Sequence, residues 1–448
     1  MNTYSTYIQA EEYILEIPKF AGKHTLAETR RLLKQITGGG GKSKIIHVAG
    51  TNGKGSVCTY LRAVLENAGY SVGVFTSPHL VTMRERICIG EEMISEADFV
   101  AAYKVVLQAV QDMQEQAAKE AGSTAEATGN STQAENMHPS FFEFLFLMAM
   151  AYFTEKEPDY IILETGLGGR LDATNAIPKK EISVITRIGL DHTEYLGETL
   201  EEIAGEKAGI MKEMTPVVYW QTNDTVSRVF TKKADELQIC AYPVSKEDYT
   251  FLNFNNKNID FSYRSIYYDN IRLCVNTIAH YQMENATLAM RVLEVLLGKD
   301  NITSADMQKG LQKAFWAGRM EEIKPEVFVD GAHNGDGIRA FLETVSRDGC
   351  VENRHLLFGV VQDKDFHHMI EEIADSGLFA DIAVVRLKSA RTADMKQLQE
   401  TFLKSGQDIV CYETVKAAFE AMLSRKQEGE RLYIAGSLYL VGEIKELV

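Results

Sequence analysis

Lys44-Ile45-Ile46-His47-Val48-Ala49-Gly50-Thr51-Asn52-Gly53-Lys54-Gly55-Ser56 runs from a β-branched strand pattern through glycines into a lysine and a serine. From Lys54 to Ala68 the apolar residues Val57, Leu61, Val64, Leu65 and Ala68 recur on one helical face. Gly69 then stops the helix, and SVGVFT reads as the next strand. A glycine loop between strand and helix lets backbone N–H groups turn inward around phosphate oxygens, and the helix N-terminus adds partial positive charge. Gly50, Thr51, Asn52, Gly53, Lys54, Gly55 and Ser56 are therefore candidate ATP-binding residues, with Lys54 reaching the β/γ-phosphates and Ser56 ligating magnesium. The spacing departs from GxxxxGK[ST], because Gly55 separates lysine from serine. A glycine-rich turn without a ligand is the plainer alternative, and the flanking strand and helix argue against it. Gly38-Gly39-Gly40-Gly41-Lys42-Ser43 looks similar but precedes the strand, with no helix behind it; it reads as a linker.

Outward from this stretch, YIILE, ISVIT and PVVYW are continuous apolar runs suited to strands buried on both faces of a parallel sheet. Alternation with helices gives an α/β, doubly wound phosphate-loop domain at the N-terminus. A helix is predicted from about Val275 to Leu297, and a second alternation follows: EVFVD, RHLLFGVV, DIAVVRL, DIVCY and RLYIAG. This is a smaller C-terminal Rossmann-like α/β domain, with the boundary set at 1–298 and 299–448. Residues 112–138 are rich in Ala, Ser, Thr, Gln and Glu with almost no aliphatic anchors, and read as a mobile surface insertion. The sequon Asn130-Ser131-Thr132 inside it is read as a chance match. Two α/β units imply a cleft between them, a common home for ligands, and catalysis should require its closure.

At 448 residues with 45% hydrophobic and 25% charged content, core material for two domains is ample. The net charge of −16 argues against nucleic acid or an anionic membrane as a partner, so an anionic substrate needs a local basic pocket. Six scattered cysteines without a CxxC pair suit a reducing compartment. No signal peptide is visible, and the most apolar stretch, Phe141 to Phe153, is too short to span a bilayer and contains Glu143. A cytoplasmic monomer is expected.

GTNGKGS, TSPHL (Thr76–Leu80), RERICI (Arg84–Ile89), FFEF (Phe141–Phe144), LETGLGGRLDATN (Leu163–Asn175), LDHTEYLG (Leu190–Gly197) and EKAGI (Glu206–Ile210) follow one another along the first domain. GRME (Gly318–Glu321), DGAHN (Asp330–Asn334), DKD (Asp363–Asp365) and AGSLYLVGEI (Ala435–Ile444) follow in the second. This ordered set resembles the folylpolyglutamate synthase/dihydrofolate synthase family of the Mur ligase superfamily over nearly the whole chain. The four-glycine run and the long insertion depart from that pattern. The resemblance implies an ATP-dependent ligase that joins L-glutamate to dihydropteroate or a (tetrahydro)folyl-(poly)glutamate through an acyl phosphate, releasing ADP and phosphate. The alternatives are a monofunctional folylpolyglutamate synthase and a nucleotide-binding switch ATPase, the latter having no need of the second-domain motifs.

Some site residues follow from their chemistry. Glu164 ends a parallel strand, where a carboxylate faces the cleft and can hold magnesium. Arg319 is an always-charged donor fork near the domain boundary, suited to a γ-phosphate. Others are implied by the resemblance alone. Ser77 and His192 join Ser56 and Glu164 as ligands of two Mg2+ ions, with K+ a further candidate. Lys207 becomes a metal ligand if carbamylated; its bland reading is a solvated lysine or a partner of Glu206. Asn285 suits adenine. Asp330 and His333 would orient nucleotide and the incoming amine, and Asp330, His333 and Ser437 would bind glutamate. Arg86, Ser140, Phe141, Phe142, Glu143, Leu171, Asp172 and Ala173 would take the pterin-bearing substrate, aromatics stacking on its flat ring. Lys54, Lys207, Arg319 and His333 form the implied catalytic set.

Overall fold

The computed structural model describes residues 6–18, 25–124, 138–255, 257–362, 364–389 and 391–448. Eight strands form the first sheet: β1 (Lys44–Ala49), β2 (Val72–Phe75), β3 (Ile87–Ile89), β4 (Glu92–Met93), β5 (Tyr160–Glu164), β6 (Ile182–Ile185), β7 (Val217–Trp220) and β8 (Ala241–Val244). Their spatial order is β4-β3-β2-β5-β1-β6-β7-β8. From β2 through β8 every pairing is parallel, with β3 and β4 added antiparallel at one edge. β1 lies centrally between β5 and β6, with Val48 beside Glu164. Strand order reverses here, so the ends of β1 and β5 open the crevice in which α/β sheets bind ligands.

The helix Lys54–Asn67 does more than the single apolar face suggests. Every residue from Ser56 to Leu65 is buried, Arg62 included. The sheet covers one side, and the helices Gln282–Leu297 and Ser304–Lys313 cover the others. Gly310 allows the last of these crossings: a Cβ there would meet the Val64 Cα at 2.5 Å.

Three sequence expectations change. The helix placed at Val275–Leu297 begins at Gln282, because Ile271–Val275 is a strand, β11. With β9 (Tyr249–Phe254) and β10 (Ile259–Tyr263) it forms an antiparallel sheet whose alternating burial was not distinguished from the helical pattern after it. Part of the 112–138 insertion is regular: the helix Glu96–Thr124 runs through its first half, and Met113 is a buried anchor. Asn130–Thr132 and Asp363 lie outside the described residues. The boundary at 298/299 also moves. Ile302, Met307 and Leu311 belong to the core of the first sheet, so the second unit begins after Lys313.

That second unit contains β12 (Glu321–Lys324), β13 (Val327–Val329), β14 (Arg354–Phe358), β15 (Asp381–Val385), β16 (Val410–Tyr412) and β17 (Arg431–Ala435). The order is β12-β13-β17-β14-β15-β16, all parallel except the β12 edge. Among the described residues, no helix is long and apolar enough to cross a membrane. If the helix Ser304–Lys313 belongs to the first core, Leu311→Ala lowers stability by about 2–5 kcal/mol. Met214→Ala, at a side chain that is 96% exposed, changes it by less than about 0.5 kcal/mol. Equal denaturant midpoints for the two variants would refute the assignment.

Candidate active site

The loop after β1 is fixed from several directions. Thr51 and Asn52 N–H groups donate to the Arg187 carbonyl at 2.9 and 3.2 Å, and the Thr186 hydroxyl donates to the Asn52 carbonyl at 2.7 Å. Gly53 caps the helix at φ 90°, where a Cβ would strike the Asn285 side chain. Gly55 faces the indole of Trp316, which a Cβ would meet at 2.5 Å. The residue between lysine and serine is thus a glycine because the segment joining the two units packs flat against it. Lys54 Nζ donates to the carbonyls of Gly50 and Thr51 at 3.0 and 3.1 Å.

A cavity of 270 Å³ gathers residues from both units. Gly50–Lys54, Ser77, Glu164, His192 and Lys207 come from the first; Arg319, His333 and Ser437 come from the joining segment and the second. Asp191, Lys364, Arg391 and Tyr439, which were not singled out from the sequence, line it as well. Four cations (Lys54, Arg319, Lys364, Arg391), with the amine of Lys207 beside them, face two carboxylates, Glu164 and Asp191. This is the basic pocket that an acidic chain needs for anionic substrates. The neighbouring cavity holds Ser56, Asn285, Asp330, Arg319 and His333, so Arg319 and His333 border both.

The metal candidates divide between these cavities. Glu164 is 3% exposed, and its Oε2 accepts the Ser77 N–H at 3.1 Å. Burial raises its pKa, against the pull of Lys54 and Arg319. Its other oxygen has no hydrogen bond among the described residues, which suits a hard cation. Burial pushes His192 down to about 4, so its imidazole is neutral at pH 7, the form a ligand requires. Ser56 Oγ accepts from Gln282 Nε2 at 3.1 Å, and Gln282 Oε1 accepts from Asn285 at 2.9 Å. The donor chemistry fits a magnesium ion held by hydroxyls, one carboxylate and an imidazole. Among the described residues no group of three or more His, Cys, Asp or Glu could hold a metal, in keeping with a set whose other donors are serines.

Lys207 is not solvated and does not pair with Glu206, which binds Arg170 instead at 2.9 Å. It is 4% exposed and donates to the Gly50 carbonyl at 2.8 Å. Burial, with Lys54 nearby, lowers its pKa to about 7. His333 donates from Nδ1 to the Gly331 carbonyl at 2.8 Å, leaving the lone pair on Nε2. Burial and Lys364 hold it near 4, so it too is neutral.

Asp330 is committed locally: its oxygens accept from Tyr281 Oη, Met320 N and Ala332 N at 2.6, 2.9 and 2.8 Å. It shapes the turns that carry Arg319 and His333. Ser437 caps the helix Leu438–Lys445, accepting from Tyr439 N. Across the cleft, Asn52 and Asn334 exchange amide hydrogen bonds at 3.1 and 3.2 Å, and Lys364 donates to Asp191 at 2.5 Å. Asn334 also donates to Asp191 at 3.0 Å. Against burial, which raises it, Lys364 holds the Asp191 carboxyl well below the usual range, helped by His333 and His192 only in the acid range where they are protonated.

The pterin candidates form a wall near Glu164. Arg86 is buried, lies 5.4 Å from the Phe141 ring centroid and donates to His79 Nδ1 at 2.8 Å. Phe142 packs under Gly166, whose Cβ it would block. Glu143 is drawn into the cap of its own helix, accepting from Ser140 N at 2.7 Å and Thr29 Oγ1 at 3.2 Å. Asp172 is filled by Gly166 N, Leu167 N and the N–H and hydroxyl of Thr174. Their carboxylates build the wall before they could reach a heterocycle. Leu171 is exposed and Ala173 buried.

A phosphate loop in one α/β unit, facing an arginine, a histidine and a serine-capped helix from another, defines an ATP-dependent acid–amino-acid ligase of the Mur type. The Mur ligase middle domain matches residues 110–293, and the Mur ligase glutamate ligase domain matches residues 318–438. The chain is similar to the dihydrofolate synthase/folylpolyglutamate synthase of Bacillus subtilis, at 32% identity over 99% of each chain. The folylpolyglutamate synthase structure from Thermotoga maritima aligns at TM-score 0.79 with 30% identity, covering 98% of this chain and 96% of that one. The Mycobacterium tuberculosis folylpolyglutamate synthase complexed with ADP shares the fold at TM-score 0.87 and 24% identity, covering 100% and 99%. The chain belongs to the dihydrofolate synthase/folylpolyglutamate synthase family.

The Lys207 environment has a measurable sign. Between pH 7 and 10.5 the unfolded chain keeps this proton while the folded chain releases it. Stability therefore rises with pH across that window, by at most about 1.4 kcal/mol per unit. In bicarbonate-free buffer, Lys207→Met should show a smaller gain than the parent between pH 7.5 and 9.5 in denaturant titrations. An equal gain would contradict the assignment.

Proposed function

We propose that this chain joins the amine of L-glutamate to the carboxylate of dihydropteroate or a folyl-(poly)glutamate, with ATP converted to ADP and phosphate. The observation that carries this reading is the cation-rich cavity (Lys54, Arg319, Lys364, Arg391) walled by the phosphate loop on one side and His333 and Ser437 on the other. A carboxylate resists attack by an amine, because it is anionic and lacks a leaving group. Its oxygen attacks the γ-phosphorus, the bond to the bridging oxygen of ADP breaks, and an acyl phosphate forms. The glutamate ammonium gives up a proton to solvent, its nitrogen adds to the acyl carbon, and phosphate departs as the nitrogen releases a second proton, leaving the amide.

These steps bring together anions, so alignment and charge neutralisation matter most. Lys54 and Arg319 serve the phosphates. Lys364 and Arg391 are suited to the carboxylates of the incoming glutamate, and His333 Nε2 accepts a hydrogen bond from its amine. Asn285, beside Gly53, suits the nucleotide base. Ser56, Ser77, Glu164 and His192 would hold magnesium, which supplies further neutralisation of phosphate charge. The depressed pKa of Lys207 favours the free amine that reacts with carbon dioxide, supporting a carbamylated lysine as an added ligand. Arg86, Phe141 and Phe142 offer a cation and ring faces for the flat acceptor.

Purified chain given ATP, magnesium, glutamate and either dihydropteroate or tetrahydrofolate should release ADP and form a glutamylated product with each acceptor. Product with tetrahydrofolate alone would identify a monofunctional folylpolyglutamate synthase. ADP release without amide would favour the switch ATPase. Lys54→Ala or Arg319→Ala should lower kcat by roughly 100-fold or more, and folded variants with parental turnover would defeat the assignment of these two cations.

A further inference from the structure

A second and larger cavity, of 730 Å³, lies at the opposite end of the first sheet from the phosphate loop. It opens between the helices Leu26–Thr37 and Phe141–Lys156, the start of β1 and the loop 176–181. Leu33, Ile45, Met150 and Ile161 give it an apolar floor. The run Gly39–Gly41, unsuited to nucleotide for want of a following helix, forms part of its rim. Its size falls in the range of small-molecule sites, roughly 300–1,000 Å³.

The charge around it is unbalanced. Six cations line the cavity (Arg30, Lys34, Lys42, Lys44, Lys179, Lys212), against the carboxylates of Glu157 and Glu181. Both carboxylates are matched, Glu157 by Lys42 at 3.6 Å and Glu181 by Lys179 at 3.8 Å. Among the described residues, Arg30, Lys34, Lys44 and Lys212 have no carboxylate within 4.0 Å. Lys212 donates to the carbonyls of Ile177 and Asn175, which orient its ammonium without cancelling its charge. Burial and then Arg30 push Lys212 down to about 8, so two cations face one another here uncompensated. Within electrostatic reach of Lys212, Lys180 is buried, and burial, then Lys212, pushes its pKa well below the usual lysine value; it donates to His47 Nδ1 at 2.9 Å and is not counted among the cavity's cations. In a chain of net charge −16, such a concentration of unpaired positive charge over an apolar floor marks an attraction for anions.

We propose that this cavity is a second binding site, separate from the ligase cleft, for a small amphiphilic anion. Its apolar body would seat on Ile45 and Met150 while its carboxylate or sulfonate meets Arg30, Lys34 and Lys212. Beside the site, a chain of hydrogen bonds starts at Lys180 and His47, which do not line the cavity, and runs to the cleft wall. His47 Nε2 donates to Thr174 Oγ1 at 2.7 Å, Thr174 donates to Asp172 at 2.5 Å, and Asp172 holds Gly166 and Leu167 on the cleft wall.

The probe is 8-anilinonaphthalene-1-sulfonate, titrated by fluorescence into the full chain with saturating ADP. Saturable binding that ADP does not displace is expected, with naphthalene-1-carboxylate competing and its methyl ester not. Arg30→Gln/Lys34→Gln replaces two exposed side chains and should weaken the probe about fivefold or more, given the modest worth of exposed charge contacts. Lys212→Gln, accepted only with a parental melting profile, should weaken it at least as much. Displacement by ADP, parental affinity in the double variant, or equal competition by the ester would each overturn the proposal. Each readout is binding at this cavity, so failure here leaves the ligase reading intact, and the reverse also holds.

Discussion

Lys54 and Lys207 both donate to the carbonyl oxygen of Gly50, at 3.0 and 2.8 Å, on the last turn of chain before the phosphate loop closes. Two ammonium groups on one oxygen would repel each other, and among the described residues neither has a carboxylate within 4.0 Å, Asp191 and Asp172 acting on Lys207 only from farther off. The fold tolerates this because Lys207 is buried enough to give up its proton near pH 7, whereas Lys54 borders the cleft. Glu164, at the end of the neighbouring strand, offers Lys54 a compensating carboxylate, and burial raises its own pKa. The site is therefore held in electrostatic tension before any substrate enters. In the proposed reaction, phosphate oxygens would bring negative charge beside Lys54 and a divalent cation would bring positive charge beside Glu164.

The second unit completes this field through a small polar junction. Asp191 stands between Lys364, Asn334 and the two neutral histidines, His192 from its own loop and His333 from across the cleft. The amides of Asn52 and Asn334 meet directly, so the phosphate loop touches the DGAHN turn without an intermediary. A polar junction suits a cleft that must open, since each of these groups can bond to water when the units separate. Trp316 provides the apolar counterpart by packing on Gly55, which places the joining segment against the base of the nucleotide helix.

The architecture was legible in the sequence wherever a local pattern had one physical meaning. Continuous apolar runs of four to six residues became the central strands, and strand–glycine–helix spacing located the loop. The pattern failed where it had two meanings. IRLCV alternates as a strand, but the long helical periodicity after it absorbed Val275 into the wrong element. Ile302, Met307 and Leu311 are spaced as any amphipathic helix would space them, and only packing shows which core they serve. Within the site, Lys54, Glu164 and Arg319 could be named because their chemistry is distinctive at a strand end or loop, whereas His333 came with the family resemblance. Asp191, Lys364 and Gln282 sat within or beside motifs already noticed, but their roles depend on partners more than 140 residues away (143, 173 and 226).

Asp172 and Asp330 show why a motif carboxylate need not touch substrate. Each ends a strand-to-turn segment in which successive N–H groups point inward with no carbonyl partner, a costly condition in a buried turn. An ionised carboxylate accepts several such donors at once and binds each more strongly than a neutral acceptor could. Asp172 gathers Gly166, Leu167 and Thr174; Asp330 gathers Met320, Ala332 and the Tyr281 hydroxyl. The two units thus use the same device on facing walls of the cleft. Replacing either residue by asparagine would keep its size but substitute donors for acceptors, and the turns that present Gly166, Arg319 and His333 would lose their shape before any substrate contact was lost.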